Sequence, residues 1–232
     1  MATLPASLHV LILAAGASSR LGEPKQLVRL GGRPILHTMV TRAVALAGHA
    51  VTVVLGAHAQ TLTPLLKHSP ASIVVNRQWQ EGLGSSIRLG VSRLPPACDA
   101  VLLLLADQIG VTADDLKRLA SAWKGEDTVI AAGLYSGTVG VPAIFPRWCF
   151  SELMALRGDH GAKILLYRHA DRVARVPMTS AALDVDTPDQ LARLRRELEQ
   201  PSGEIVVAQK GLNGAQVPDA PDPSASDLSL SN

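Results

Sequence analysis

Four apolar runs, HVLILAA (9–15), AVTVVLG (50–56), ASIVVN (71–76) and AVLLLLA (100–106), are unbroken by polar alternation. A strand with one solvated face alternates, so a run that is apolar at every position belongs to a strand buried on both faces. Helix-like stretches separate them: RPILHTMVTRAVALAG (33–48) has a proline near its start and Gly48 at its end, and GSSIRLGVSRL (84–94) opens with serine. Strands alternating with helices need long crossovers. The chain is therefore expected to be α/β, with a doubly wound, mostly parallel sheet in a three-layer αβα arrangement. In such a sheet ligands bind outside the carboxyl ends of the strands.

The second half is less regular. DTVIAAGLYSGTVGVPAIFP (127–146) suggests strands with tight turns, and RWCFSELMALRG (147–158) a helix ended by glycine. DVDTPDQLARLRRELEQ (184–200) reads as a short strand feeding a helix, with Thr187 as cap, Pro188 at the first helical position and Gln190 completing a capping box. Beyond Gln200 the composition turns to Pro, Ser, Asp and Gly. The expectation is one domain over 1–200 and a disordered tail over 201–232, in which only EIVVA (204–208) could dock.

The 232 residues are 47% hydrophobic, 18% charged and 3% aromatic, enough aliphatic surface for an ample core. The first 200 residues hold 21 basic against 16 acidic side chains, an excess too mild and dispersed for nucleic-acid binding. Trp79, Trp123 and Trp148 are too scattered for a base-stacking platform and read as packing residues. Cys98 and Cys149 form no CxxC pair, so neither zinc nor a disulfide framework is expected, and a reduced, cytoplasmic setting fits. The N-terminal apolar run has no basic region before it and is interrupted by Gly16 and Ser18, short of the ~18 residues that span a bilayer. No G-x-S-x-G elbow is present.

The junction LILAAGASSRLGEPKQL (11–27) sets an apolar run against small residues and ends in two cations, Arg20 and Lys25. It matches neither familiar phosphate-binding pattern. The G-x-x-x-x-G-K-[ST] loop fails because five residues separate Gly16 from Gly22 and Gln26 follows Lys25, while G-x-G-x-x-G fails at Ser18. The physics common to both survives: small residues after a strand let backbone N–H groups converge on an anion, and Arg20 and Lys25 add charge. The same residues would also serve an ordinary glycine-rich turn with solvated cations.

The pattern L-A-A-G-x-S-x-R-x-G followed by P-K-x-L is more particular than this physics requires. LAAGASSRLG (13–22), PKQL (24–27), NRQWQEGLGSSIRLG (76–90), LLLLADQ (102–108), GVPAIFPR (140–147), LRGDHGAKILL (156–166) and DVDTPDQL (184–191) occur in this order. With them the chain resembles the MobA-like nucleotidyltransferases from residue 8 to about 197, and within them the MocA-like molybdenum cofactor cytidylyltransferases. The resemblance implies a Rossmann-like nucleotidyltransferase fold and Mg2+-dependent transfer of CMP from CTP to the phosphate of molybdopterin, releasing pyrophosphate. A molybdenum hydroxylase would be the enzyme served. Leu13, Ala14, Ala15, Gly16, Ser18, Arg20 and Gly22 would cradle the triphosphate, Lys25 would reach the α-phosphate, and Gly82 and Ser85 would wall the base and ribose. Asp107 and Asp186 would bind the metal, leaving Arg20, Lys25 and Asp107 as the catalytic set.

The residues alone leave other readings open. Ser85 can cap a helix instead of touching ligand; Asp107 can accept loop N–H bonds; Asp186 can help the helix start at Thr187. The GDHGAK loop (158–163) would face the acceptor by resemblance, with His160 and Lys163 as candidates. Two departures stand out: Gln108 and Ile109 replace a frequent Met-Pro, and Val141 stands where many cofactor cytidylyltransferases carry His. Leu13-Ala14-Ala15-Gly16 differs from the L-A-G-G of the guanylyltransferase branch, which favours CTP over GTP. Rival readings are another NTP, a sugar-phosphate acceptor, an NAD(P)-dependent oxidoreductase on the same scaffold, or a non-catalytic cofactor carrier.

Overall fold

A computed structural model describes residues 7–18, 23–183 and 190–191. Arg20, Gly22, Asp184, Asp186, the cap expected at Thr187 and the tail expected over 201–232 lie outside them. Strand β1 (Leu8–Ala14) leads through a small antiparallel ribbon, β2 (Arg29–Leu30) and β3 (Arg33–Pro34), into helix α1 (Ile35–Ala47). There follow β4 (Val51–Leu55), the short α2 (Ala59–Leu62), β5 (Ser72–Val75), α3 (Leu83–Ser92), β6 (Ala100–Leu105) and α4 (Ala113–Trp123). The second half adds β7 (Ile130–Tyr135), β8 (Thr138–Pro146), α5 (Phe150–Ala155), α6 (Lys163–Arg168) and β9 (Val173–Pro177).

Seven strands form one sheet in the order β5-β4-β1-β6-β8-β7-β9. Only β8 runs against its neighbours, because β7 and β8 are a hairpin turning at Ser136 and Gly137. Two apolar clusters sandwich the sheet. Val10, Ile12, Val53, Leu102 and Leu104 meet Leu36, Met39 and Val40 of α1 and Leu116, Leu119 and Trp123 of α4. Leu11, Leu13, Val54, Val101 and Leu103 meet Ile87 and Val91 of α3, Leu153 of α5 and Leu165 and Leu166 of α6. Successive residues of β1, β4 and β6 thus feed opposite cores, which is why these runs show no polar alternation.

One expectation fails at the edge. Ser72–Val75 is not buried on both faces: β5 is the terminal strand, and Val75 is 45% exposed. Helix α4 lacks a continuous apolar run, because its core side chains are spaced around a charged face, and it starts at a capping box in which Thr112 and Asp115 bond each other's backbone N–H. Among the described residues no helix is long and apolar enough to cross a membrane.

Candidate functional site

The strand order reverses between β1 and β6. From β1 the chain builds outward through β4 and β5, then returns to place β6 on β1's other side, so the loops leaving β1 and β6 part and open a crevice at the carboxyl edge. A cavity of about 470 Å³ lies there. Leu13, Ala14, Ala15, Gly16, Ser18, Lys25, Gly82 and Asp107 all line it. Ala17, Gln26, Trp79, Leu83, Ser86 and Asp159 are also among its walls.

The first loop follows β1 directly. Its tight path needs a neighbour without a side chain: a Cβ on Gly56, at the end of β4, would sit 2.5 Å from the Ala15 carbonyl oxygen and 2.8 Å from the Trp79 Cβ. Ser18 takes a left-handed conformation, φ 55°, and its Oγ accepts the Lys25 backbone N–H at 3.1 Å. That bond draws the start of the PKQL segment against the loop and brings the Lys25 side chain to the cavity.

The second wall is two loops clamped together. Gly82 has φ 113°, and a Cβ on it would fall 2.4 Å from Asp159 Oδ1 and 2.5 Å from the Gly158 backbone, so only glycine permits this approach. The Gly84 N–H donates to the Gly158 carbonyl at 2.9 Å. Arg88 of α3 donates to both carboxylate oxygens of Glu81, at 2.7 and 2.6 Å, and to the Leu156 carbonyl at 2.6 Å. The Arg88 hydrogen bond holds the Glu81 carboxyl below the usual carboxylate range. The clamp carries Asp159 to the cavity, an assignment that sequence spacing offered no way to make.

Ser85, expected at the wall of the base and ribose, does not line the cavity. It is 3% exposed, accepts from Asn76 Nδ2 at 2.8 Å, and its Oγ lies 2.8 Å from the Gly82 carbonyl, while the helix N-cap is Gly82 with no side-chain cap. Ser85 therefore fastens the loop from behind, and the next residue, Ser86, accepts from the same Asn76 Nδ2 at 3.0 Å and also lines the cavity. Trp79, expected to be a packing residue, forms part of the cavity wall.

Lys25 Nζ approaches Asp107 Oδ2 at 3.4 Å, with side-chain exposures of 14% and 31%. Among the described residues no backbone N–H donates to the Asp107 carboxylate, so the reading of Asp107 as an anchor for its own loop does not hold. Asp107 and Asp159 give the cavity a hard-oxygen donor set with no Cys or His. Mg2+ is usually held by one or two carboxylates, with substrate phosphates and water completing its shell, and these residues fit that pattern. Among the described residues no group of three His, Cys, Asp or Glu side chains is assembled for a metal.

Other candidates fall away from the cavity. His160 and Lys163 are exposed and line no part of it, and Lys163 Nζ lies 5.6 Å from the Tyr167 ring centre. Gln108, in place of a frequent Met, is buried and donates to the Val141 carbonyl at 2.6 Å, where Tyr135 also donates at 2.7 Å. The two departures from the family pattern are thus bonded to each other. Burial pushes the Cys149 thiol up to about 12 and raises Cys98 as well.

The MobA-like NTP transferase domain matches residues 10–173. Nicotine blue oxidoreductase of Paenarthrobacter nicotinovorans is 31% identical over 193 residues, covering 79% of this chain and 94% of that protein. Purine catabolism protein PucB of Bacillus subtilis (strain 168) is 28% identical over 199 residues, covering 81% and 96%. The crystal structure of Rv0371C from Mycobacterium tuberculosis H37Rv in complex with manganese superposes with a TM-score of 0.67 at 26% identity, covering 82% of this chain and 98% of that one. By sequence match, strand order and the loops gathered at the β1/β6 crevice, this chain belongs to the MobA-like NTP transferase domain family.

Proposed function

We propose that the chain is a nucleotidyltransferase that moves CMP from CTP to the phosphate of molybdopterin, with Mg2+ and release of pyrophosphate. The observation that carries this reading is the Lys25–Asp107 pair, 3.4 Å apart over a cavity floored by a small-residue loop. A cation for phosphate oxygens and a carboxylate for a divalent metal stand side by side where a triphosphate would lie. Phosphoryl and nucleotidyl transfers need positioning and charge neutralisation more than covalent help, so no protein nucleophile is required.

In this reading the acceptor phosphate attacks the CTP α-phosphate in line, and Lys25 and Arg20 neutralise charge on its oxygens. The N–H groups of the first loop hold the departing pyrophosphate, while Gly82 and Ser86 border the nucleoside. Asp107 would hold the Mg2+, which supplies charge neutralisation on the phosphates when bound. Asp186 is proposed as a second ligand from the family pattern, and the manganese complex of Rv0371C supports a divalent cation.

The similarity to nicotine blue oxidoreductase favours a second reading, a redox enzyme on the same scaffold. Lys25 beside Asp107 argues against it, since hydride transfer needs no metal-binding carboxylate beside a phosphate cradle. One experiment separates the two. Purified protein with CTP, Mg2+ and molybdopterin should release pyrophosphate and form a cytidine dinucleotide; NAD(P)H oxidation with nicotine blue, and no pyrophosphate from CTP, would overturn the transferase reading.

A further inference from the structure

A loop that binds an anion through its N–H groups has a difficulty of its own: each peptide also carries a carbonyl oxygen that repels the anion if it turns inward. In the first loop every carbonyl from Leu13 to Ala17 is engaged elsewhere. The Leu13 carbonyl accepts from the Ala106 N–H at 3.1 Å and the Ala15 carbonyl from the Ala57 N–H at 3.0 Å, both backbone groups of neighbouring loops. The other three are held by side chains. Gln26 Nε2 donates to the Ala14 carbonyl at 3.2 Å and the Gly16 carbonyl at 3.3 Å, and His58 Nε2 lies 3.0 Å from the Ala17 carbonyl. A carbonyl only accepts, so His58 donates from Nε2 in this pair.

Two further observations mark this as more than packing. The Gln26 side chain is buried, 5% exposed, and its Oε1 is buried with no hydrogen-bond partner among the described residues. An amide whose oxygen is left unsatisfied while its nitrogen serves two loop carbonyls is there to donate. Conversely, no acceptor among the described residues engages the backbone N–H of Gly16, Ala17 or Ser18, and all three residues line the cavity.

We propose that Gln26 and His58 are positioning residues that hold the first loop's carbonyls away from the bound anion and so leave its N–H groups to the phosphates, a role that rests on the triphosphate-binding reading above. Neither side chain needs to touch substrate. The test uses the full chain and inorganic triphosphate with Mg2+ as probe, titrated by calorimetry, because this ligand engages the loop without the nucleoside wall. Gln26→Met and His58→Met keep shape without a donor, and each should weaken triphosphate binding about tenfold, the scale of one lost hydrogen bond. His58→Gln returns an amide donor at the position of Nε2 and should bind within about twofold of wild type, a rescue that a merely structural role would not give. In turnover the KM for CTP should rise in the Met variants while the KM for acceptor stays. If Gln26→Met does not fold, the His58 pair, half-buried, decides the matter alone. Wild-type triphosphate affinity in the Met variants, or a wild type that does not bind triphosphate, would overturn the proposal. A wild type that binds triphosphate yet releases no pyrophosphate from CTP would sink the transferase reading and leave the cradle standing; CMP transfer with unchanged affinity in the Met variants would do the reverse.

Discussion

Lys25 and Asp107 are 82 positions apart in the chain and meet at the cavity wall. The motif made each a candidate, and only the fold makes them partners. Their ion pair is partly exposed and long, so it contributes little to stability, about 0–1 kcal/mol, and the proposed function gives it a chemical role instead. Asp107→Asn should therefore melt near wild type while pyrophosphate release falls by orders of magnitude, since a neutral amide of the same size binds Mg2+ poorly. Near wild-type release at saturating Mg2+ would remove Asp107 from the mechanism. Lys25→Ala should cost ten- to a hundredfold in kcat/KM, the worth of a charge-assisted contact of about 1.5–3 kcal/mol; a large fall in melting temperature instead would mark Lys25 as a structural residue. Side-chain direction was not legible at this scale. Ser85 and Ser86 are adjacent, chemically identical and both buried, and both accept from Asn76 Nδ2, at 2.8 and 3.0 Å, yet of the two only Ser86 also lines the cavity.

At the scale of elements, β1, β4 and β6 were legible because burial on both faces removes polar alternation, and that signature is local. Ser72–Val75 carries the same signature, yet no residue within it reports that, among the described residues, no strand pairs with its far side. Helix α4 was missed although Thr112 and Asp115 spell its start: Leu116, Leu119 and Trp123 are spaced at helical intervals among charges and make no run. The contact between the Glu81–Ser85 and Leu156–Gly161 segments was invisible for a different reason, since it depends on which helix packs beside which. Gly82→Ala tests that contact. The added Cβ meets Gly158 backbone, which cannot swing aside as a side chain could, and the φ of 113° is hostile to any L residue. The variant should lose about 1–3 kcal/mol, visible as a melting point lower by several degrees, and should bind CTP more weakly because Asp159 and Ser86 shift with the loop. A Gly82→Ala protein that melts and binds like wild type would show that the two loops are not a rigid wall.

For the molecule as a whole, the αβα layering fixes where a ligand goes, and the cavity walls decide which one. Under the proposed CTP reading, the purine or pyrimidine choice would fall to a packed block at the base of the first loop: Ala15 is 7% exposed, and Gly56 is so close that a Cβ on it would stand 2.8 Å from both the Ala15 Cβ and the Trp79 Cβ. Ala15 and Trp79 line the cavity over Gly56, and the Ala15 methyl takes up room that a glycine would leave. Size exclusion by a single small group is modest, about 1–3 kcal/mol. The wild-type protein is expected to prefer CTP over GTP, and Ala15→Gly should relax that preference by roughly tenfold without reversing it, because the Gly82–Ser86 segment still walls the other side of the base. Competition between CTP and GTP with molybdopterin as acceptor measures this directly from the ratio of the two dinucleotides formed. A guanine dinucleotide as the main product of the unmodified protein would end the claim for CTP and leave nucleotidyl transfer intact, since in the proposed mechanism Lys25, Asp107 and the first loop act on phosphates that both nucleotides share.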